Sequence, residues 1–214
     1  MHNAWMQEYA NLGGTKKYNE VCADIIRETI EMFGNPEFFH LGMEEEKIEN
    51  QYHYPVMRER TWKKRTEDLS FLCDVCREGG ARPWIWVDVQ SIQALGGLEK
   101  FNENVPKDVL MSNWWYGKIH YDGEAENPRT KLYRDLDALG YEQVPTSSTY
   151  SYAQNSRQTM RYGKAHLKDE NIKGYMTAAW QNTLPNSENG LVYDAAMFGQ
   201  AKQLIYPEEC KENK

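Results

Sequence analysis

The sequence predicts an α/β fold built on a parallel sheet, and three observations carry that prediction. Amphipathic helical stretches alternate with short apolar runs about five times along the chain. Each run is too short and too uniformly apolar to leave one face in water, so helices must cover both faces of the sheet. The chain holds 214 residues, 40% hydrophobic and 27% charged, which suits one substantial core and a single domain over residues 1–214.

The elements follow in order. Residues 17 to 33 place Tyr18, Val21, Cys22, Ile25, Ile26, Thr29 and Met32 at i, i+3, i+4 and i+7 spacing, an amphipathic helix that "FGNPE" stops. "EFFHLGM" follows as a short apolar strand. The helical pattern returns over residues 61 to 77 and ends at "EGGARP", before the aromatic and β-branched strand "WIWVDV". "VLMSNWWYG", "EQVPTSSTYSY" and "KGYMTAAWQNT" read as three further strands. The helices "NPRTKLYRDLDALGY" and "SRQTMRYGKAHLKDENI" separate them, and "ENGLVYDAAMFGQAKQLIY" closes the series as a helix.

Composition removes several classes of function. A net charge of -7 with no run of five basic residues argues against a nucleic-acid partner. No stretch reaches the ~18 apolar residues of a membrane span, and the first residues lack the basic start and apolar core of a leader. Cys73 and Cys76 form a lone C-x-x-C at helical spacing, which reads as helix packing. His53 and His120 have no partner at fixed spacing, so neither a metal nor another cofactor is expected. No phosphate-binding glycine motif follows a strand, and no G-x-S-x-G occurs. A doubly wound sheet and a (β/α)8 barrel both remain compatible with the pattern.

Polar and aromatic residues gather at the strand ends: Glu44 and Glu45, Trp86 and Asp88, Asn113 with Trp114 and Trp115, Tyr150 and Tyr152, Trp180 and Asn182. In parallel α/β folds these ends build the active site. Carboxylates and amides bind hydroxyls and rings stack on pyranose faces, so a carbohydrate is the expected ligand. Adjacent strand residues point to opposite faces, so Glu44 and Glu45 serve one cavity only if the chain leaves strand geometry just before them, as Gly42 permits. Two close carboxylates also raise one pKa toward that of a general acid. Glu46 reads as solvated charge.

"FHLGMEEE" resembles the H-x-G-G-D-E motif ending strand 4 of the barrel in glycoside hydrolase family 20, the β-N-acetylhexosaminidases. "PWIWVDV", "DVLMSNWWYG", "LGYEQVPTSSTYSY" and "IKGYMTAAWQNT" resemble that family's strand 5 to 8 segments in order, over roughly residues 15 to 206. The resemblance implies a (β/α)8-type barrel, of which this chain holds about five β/α units, strands 4 to 8, as one part of a longer protein. It implies a retaining mechanism in which the substrate's own 2-acetamido group is the nucleophile. Glu45 is then the general acid/base and Glu44 the residue orienting the acetamido group. His40 takes the place of the family's histidine, and Trp86, Asp88, Trp114, Trp115, Tyr150, Tyr152, Trp180 and Asn182 are substrate-binding. The chain departs from the family pattern at Met43 (glycine), Glu44 (aspartate) and Asn182 (glutamate), and it lacks an aspartate two residues after the strand 7 tyrosine. A non-catalytic carbohydrate-binding relative of the same barrel family, or a truncated inactive fragment, is the alternative.

Overall fold

The computed structural model describes residues 13–43, 46, 48–51, 57, 59–119, 127–182 and 184–210. The chain divides into two units, Met1–Leu110 and Met111–Lys214.

In the first unit, helix α1 (Lys16–Met32) starts where the Thr15 hydroxyl accepts the Tyr18 amide at 3.2 Å. Strand β1 (Phe38–His40) follows, then helix α2 (Trp62–Glu78), capped by Thr61, and strand β2 (Arg82–Val87). Two short helices, α3 (Val89–Ala94) and α4 (Leu98–Asn104), lead to strand β3 (Leu110–Asn113), within which the two units divide.

β1 pairs parallel with β2, Phe38 opposite Arg82 and His40 opposite Trp84. Side-chain alternation separates two faces. Phe39, Leu41 and Met43 pack on a core of Ala23, Ile26 and Ile30 from α1 and Leu72, Val75 and Cys76 from α2. Each fully buried aliphatic chain there stabilises the fold by roughly 1.5–3 kcal/mol. The other face carries the half-buried Phe38, His40, Trp84 and Trp86, alternating in β2 with the buried Ile85 and Val87. The α1 stripe is rotated from the sequence expectation: Ala23, Ile26 and Ile30 are buried while Met32 is exposed, because the core forms against α2 and β1. Cys73 and Cys76 are fully buried, and burial pushes both thiols up to about 12, so they act as small apolar packing groups.

The second unit continues β3 with helix α5 (Pro128–Ala138), strand β4 (Thr146–Ser147), helix α6 (Asn155–His166), strand β5 (Met176–Thr177) and helix α7 (Glu188–Ile205). β4 pairs parallel with β5, and parallel bridges join Met111 to Gln143 and Gln143 to Ile172. Ile119, Tyr133, Tyr162 and Leu167 form an apolar cluster on which Trp115 and Ile172 pack. The strands are shorter than the apolar runs suggested, since Pro145 has no amide hydrogen to donate within "EQVPTSS". The α/β class and parallel pairing are as the alternation requires; among the described residues no sheet closes into a barrel. No described helix is long and apolar enough to cross a membrane.

Candidate functional site

Pairing of β1 with β2 extends past the strand: the Leu41 amide donates to Trp84 O at 2.7 Å, and the Trp86 amide to Gly42 O at 3.0 Å. The chain then leaves strand geometry through two successive left-handed residues, Gly42 (φ 76°) and Met43 (φ 69°). Glycine adopts this region freely, whereas at Met43 it costs about 1–2 kcal/mol. The sequence-predicted departure thus occurs at Gly42 and takes in Met43 as well. Glu44 and Glu45 themselves, like His53 and His120, lie outside the described residues.

The His40 ring lies 4.9 Å from the Trp84 ring and 4.7 Å from the Trp86 ring. Its Nδ1 accepts the Gly42 amide at 3.0 Å, which puts the ring proton on Nε2. Among the described residues, Nε2 is buried without a hydrogen-bond partner. Burial between the indoles pushes the pKa down from 6.5 to about 4, so His40 is a neutral donor at neutral pH.

Glu46 corrects the sequence reading, which left it in solvent. Its carboxylate accepts the Arg60 amide at 2.9 Å and Arg60 Nε at 2.6 Å, and is also bonded by Arg60 Nη2. Arg60 Nη1 reaches Asp68 Oδ2 at 2.9 Å, while Asn19 Nδ2 and Lys64 Nζ hold Asp68 Oδ1 at 3.0 and 3.1 Å. The Arg60 side chain is only 6% exposed and that of Asp68 0%. Desolvation pushes the Asp68 pKa up, but the hydrogen bonds from Arg60, Asn19 and Lys64 outweigh it and hold the carboxyl below its usual range. Glu46 is therefore half-buried, because Nε and Nη2 of Arg60 neutralise its Oε2 while the Arg60 amide bonds Oε1.

Asp88, read as a pocket carboxylate, is 3% exposed and caps α3. Its Oδ1 accepts the Ser91 amide at 2.7 Å while Ser91 Oγ accepts the Asp88 amide at 2.7 Å. The D-x-x-S spacing carried this signal in the sequence. Trp86 stands on the half-buried face beside His40.

In the second unit the aromatic residues separate by role. Trp114 stacks on Tyr116 at 4.9 Å, and Tyr116 meets Trp180 edge-on at 6.1 Å. Trp115 instead packs on the apolar cluster, with its Nε1 donating to Lys118 O at 3.2 Å. A β-carbon at Gly117 would fall 2.5 Å from the Trp115 ring, so only glycine lets the chain pass there. The Arg129 guanidinium lies 5.4 Å from the Trp114 ring and 5.3 Å from that of Trp115. Trp180 has φ 51° and is 57% exposed; Tyr150 is 74% exposed, Tyr152 half-buried and Asn182 exposed. Tyr150 and Tyr152 belong to the turn after β4, not to a strand. Asn113 is fully buried at the end of β3, and among the described residues neither atom of its side-chain amide has a hydrogen-bond partner.

Two buried side chains that the sequence reading missed join these strand exits. Asn155 donates to Trp115 O and Gly117 O at 2.9 and 2.8 Å and accepts the Ser148 amide at 3.0 Å. Asp194 of α7 accepts the Thr149 amide at 3.0 Å and Thr177 Oγ1 at 2.6 Å. A carboxylate inside the otherwise apolar "GLVYDAAMF" was the available signal for Asp194.

No family model and no curated protein matches this chain. The site's chemistry therefore rests on the side chains. Among the described residues no group of three or more His, Cys, Asp or Glu is placed to hold a metal. What the described residues offer is a neutral imidazole donor held between indoles in the first unit, and stacked or exposed rings beside hydroxyls and amides in the second. Groups of both kinds can hydrogen-bond to or stack on a ligand.

Proposed function

We propose that the protein is a glycoside hydrolase of the β-N-acetylhexosaminidase type, removing terminal N-acetylhexosamine residues from glycans by retaining, substrate-assisted catalysis. In this reading the chain supplies about five β/α units of a (β/α)8-type framework. The observation that carries the reading is the exit from β1. The motif that "HLGMEE" resembles has two consecutive glycines, and both corresponding positions here, Gly42 and Met43, adopt the left-handed conformation that glycine favours. Met43 keeps that backbone at a cost, which favours a turn retained for what it presents.

The acetamido carbonyl oxygen of the substrate attacks C1 as the glycosidic C–O bond breaks, and Glu45 donates a proton to the leaving oxygen. Glu44 accepts the acetamido N–H and stabilises the positive charge that develops on the oxazolinium ion. Water then adds at C1 as the bond from C1 to the acetamido oxygen breaks, opening the oxazolinium ring, and gives its proton to Glu45, which restores the acid and the acetamido group and retains configuration. His40, held neutral, has its Nε2–H to donate to an oxygen of the substrate or of a carboxylate. Trp180 and the stacked Trp114 and Tyr116 offer ring faces of the kind on which pyranoses stack.

The test is hydrolysis of aryl N-acetyl-β-glucosaminide and galactosaminide by wild type and Glu45→Gln. Turnover by wild type, lost by about 10²–10⁴-fold in the variant, is the expected result. Sugar binding without wild-type turnover would replace the enzyme with a carbohydrate-binding protein.

A further inference from the structure

We infer that the second unit holds a binding site for an uncharged aromatic compound bearing a hydroxyl, in a cavity between α6, α7 and the segment that enters β5. Met160, Ile172, Tyr175, Phe198 and Tyr206 supply its apolar and ring surface. Its volume is about 640 Å³, within the roughly 300–1,000 Å³ of small-molecule sites. The cavity borders residues that precede β5, whereas Tyr150 and Trp180 follow β4 and β5. It is therefore separate from the candidate site, and it goes beyond the glycosidase reading without depending on it.

Three features distinguish this cavity from a packing defect. The Tyr175 and Tyr206 hydroxyls bond each other at 2.7 Å, and Tyr175 also makes a long donation to Met160 O at 3.4 Å. Those two bonds use both hydroxyl protons and leave acceptor lone pairs on the pair, which suits a ligand that donates. Burial pushes the Tyr175 hydroxyl far above its ordinary range, so it stays neutral. Gly163 is the second feature: it stands inside α6, where a β-carbon would collide with the Tyr175 hydroxyl oxygen. Glycine weakens a helix interior, so the fold gives up helix stability to seat this hydroxyl. The third feature is charge balance. Three lysines of the wall each face a carboxylate: Lys164 with Glu208 at 3.0 Å, Lys202 with Glu209 at 3.5 Å and Lys173 with Glu142 at 2.6 Å. Asp169, Glu208 and Glu209 in the wall equal the lysines in number, so the site has no net charge with which to select an ion.

Shape follows from the rings. Tyr175 and Tyr206 lie 5.8 Å apart at 46°, and with Phe198 they offer a flat ligand both faces and edges, while the Met160 thioether adapts to what remains. Lys164 Nζ lies 4.5 Å from the Tyr206 ring and donates to Ile205 O at 2.6 Å, which ties α6 to the end of α7 beside the cavity. A phenol combines the two properties the wall asks for, an aromatic plane and a hydroxyl that donates well.

The experiment titrates the full chain with p-cresol, toluene and p-toluate and follows backbone amide shifts by NMR. Wild type is expected to show saturable shifts with p-cresol, centred on residues 160–175 and 198–209. Toluene, which lacks the hydroxyl, should bind about threefold to tenfold more weakly, and the anion p-toluate no more tightly than p-cresol. The double variant Tyr175→Phe/Tyr206→Phe keeps both rings and should erase the advantage of p-cresol over toluene, while Phe33→Ala, exposed in the first unit, should match wild type. Should the double variant fail to fold, Tyr206→Phe alone should narrow that advantage. The inference is overturned by the absence of saturable shifts at these residues or by shifts centred on Trp114, Tyr150 and Trp180. Toluene or p-toluate binding more tightly than p-cresol, or a p-cresol advantage unchanged without the hydroxyls, would equally overturn it. The readout needs no turnover, so a protein without glycosidase activity leaves this test intact.

Discussion

The two units hold their strand exits by different means. After β1 the chain is fixed by charge: Arg60 joins Glu46 to the buried Asp68, and Lys64 and Asn19 complete the cluster. After β3, β4 and β5 it is fixed mainly by neutral groups, with Asn155 bonding backbone groups and one carboxylate, Asp194, bonding an amide and a hydroxyl. The difference matches what each region presents. Glu46, half-buried, needs a fixed cation beside it, whereas Trp114, Tyr150 and Trp180 present uncharged rings that only need a steady backbone.

Breaking each anchor should expose the contrast. Asp68→Ala leaves Arg60 and Lys64 facing a buried gap and should destabilise the first unit by about 3–5 kcal/mol in denaturant unfolding. Asp194→Ala leaves only a backbone amide and a hydroxyl unpaired and should cost about 2–3 kcal/mol. Equal losses would mean that a carboxylate bonded to cations and one bonded to an amide and a hydroxyl anchor the chain equally.

The charged side should also be the acid-sensitive one. Asp68 has a depressed folded-state pKa, so its contribution is present above its ordinary value of about 3.9 and is lost as pH falls through and below it. His40 is depressed from 6.5 to about 4, so between those values the unfolded chain binds more protons and stability rises with pH. Melting temperature should therefore drop between pH 6.5 and about 4, and His40→Asn should flatten that slope in its upper half. The smallest expected effect isolates the backbone at Met43. Met43→Gly should be more stable than Met43→Ala by about 1 kcal/mol, the reverse of the usual order, because a β-carbon is strained at positive φ.

Legibility in the sequence followed the range of the interaction. Local signals read well: Thr61 begins a helix, the aromatic and β-branched "WIWVDV" marks β2, and Gly42 marks the exit from β1. Asp88 also shows how one residue serves two readings, since a carboxylate after a strand is equally a helix cap. The Arg60–Glu46 pair spans 14 residues and Asp194 reaches Thr149 across 45, and no periodicity encodes such contacts. That is why Glu46 looked solvated and why Asn155 and Asp194 went unread. Trp114 and Trp115 could not be told apart because a one-residue slip reverses the face; packing of Trp115 on the apolar cluster makes Trp114 the ring left to stack on Tyr116.

The central claim is that the substrate's acetamido group is the nucleophile, and binding of a thiazoline analogue of the oxazolinium ion tests it most directly. Titrated calorimetrically against the parent N-acetylhexosamine, the thiazoline should bind at least about a hundredfold more tightly, with the advantage lost in Glu44→Ala. A thiazoline that binds no tighter than the parent sugar would contradict substrate-assisted catalysis at this site.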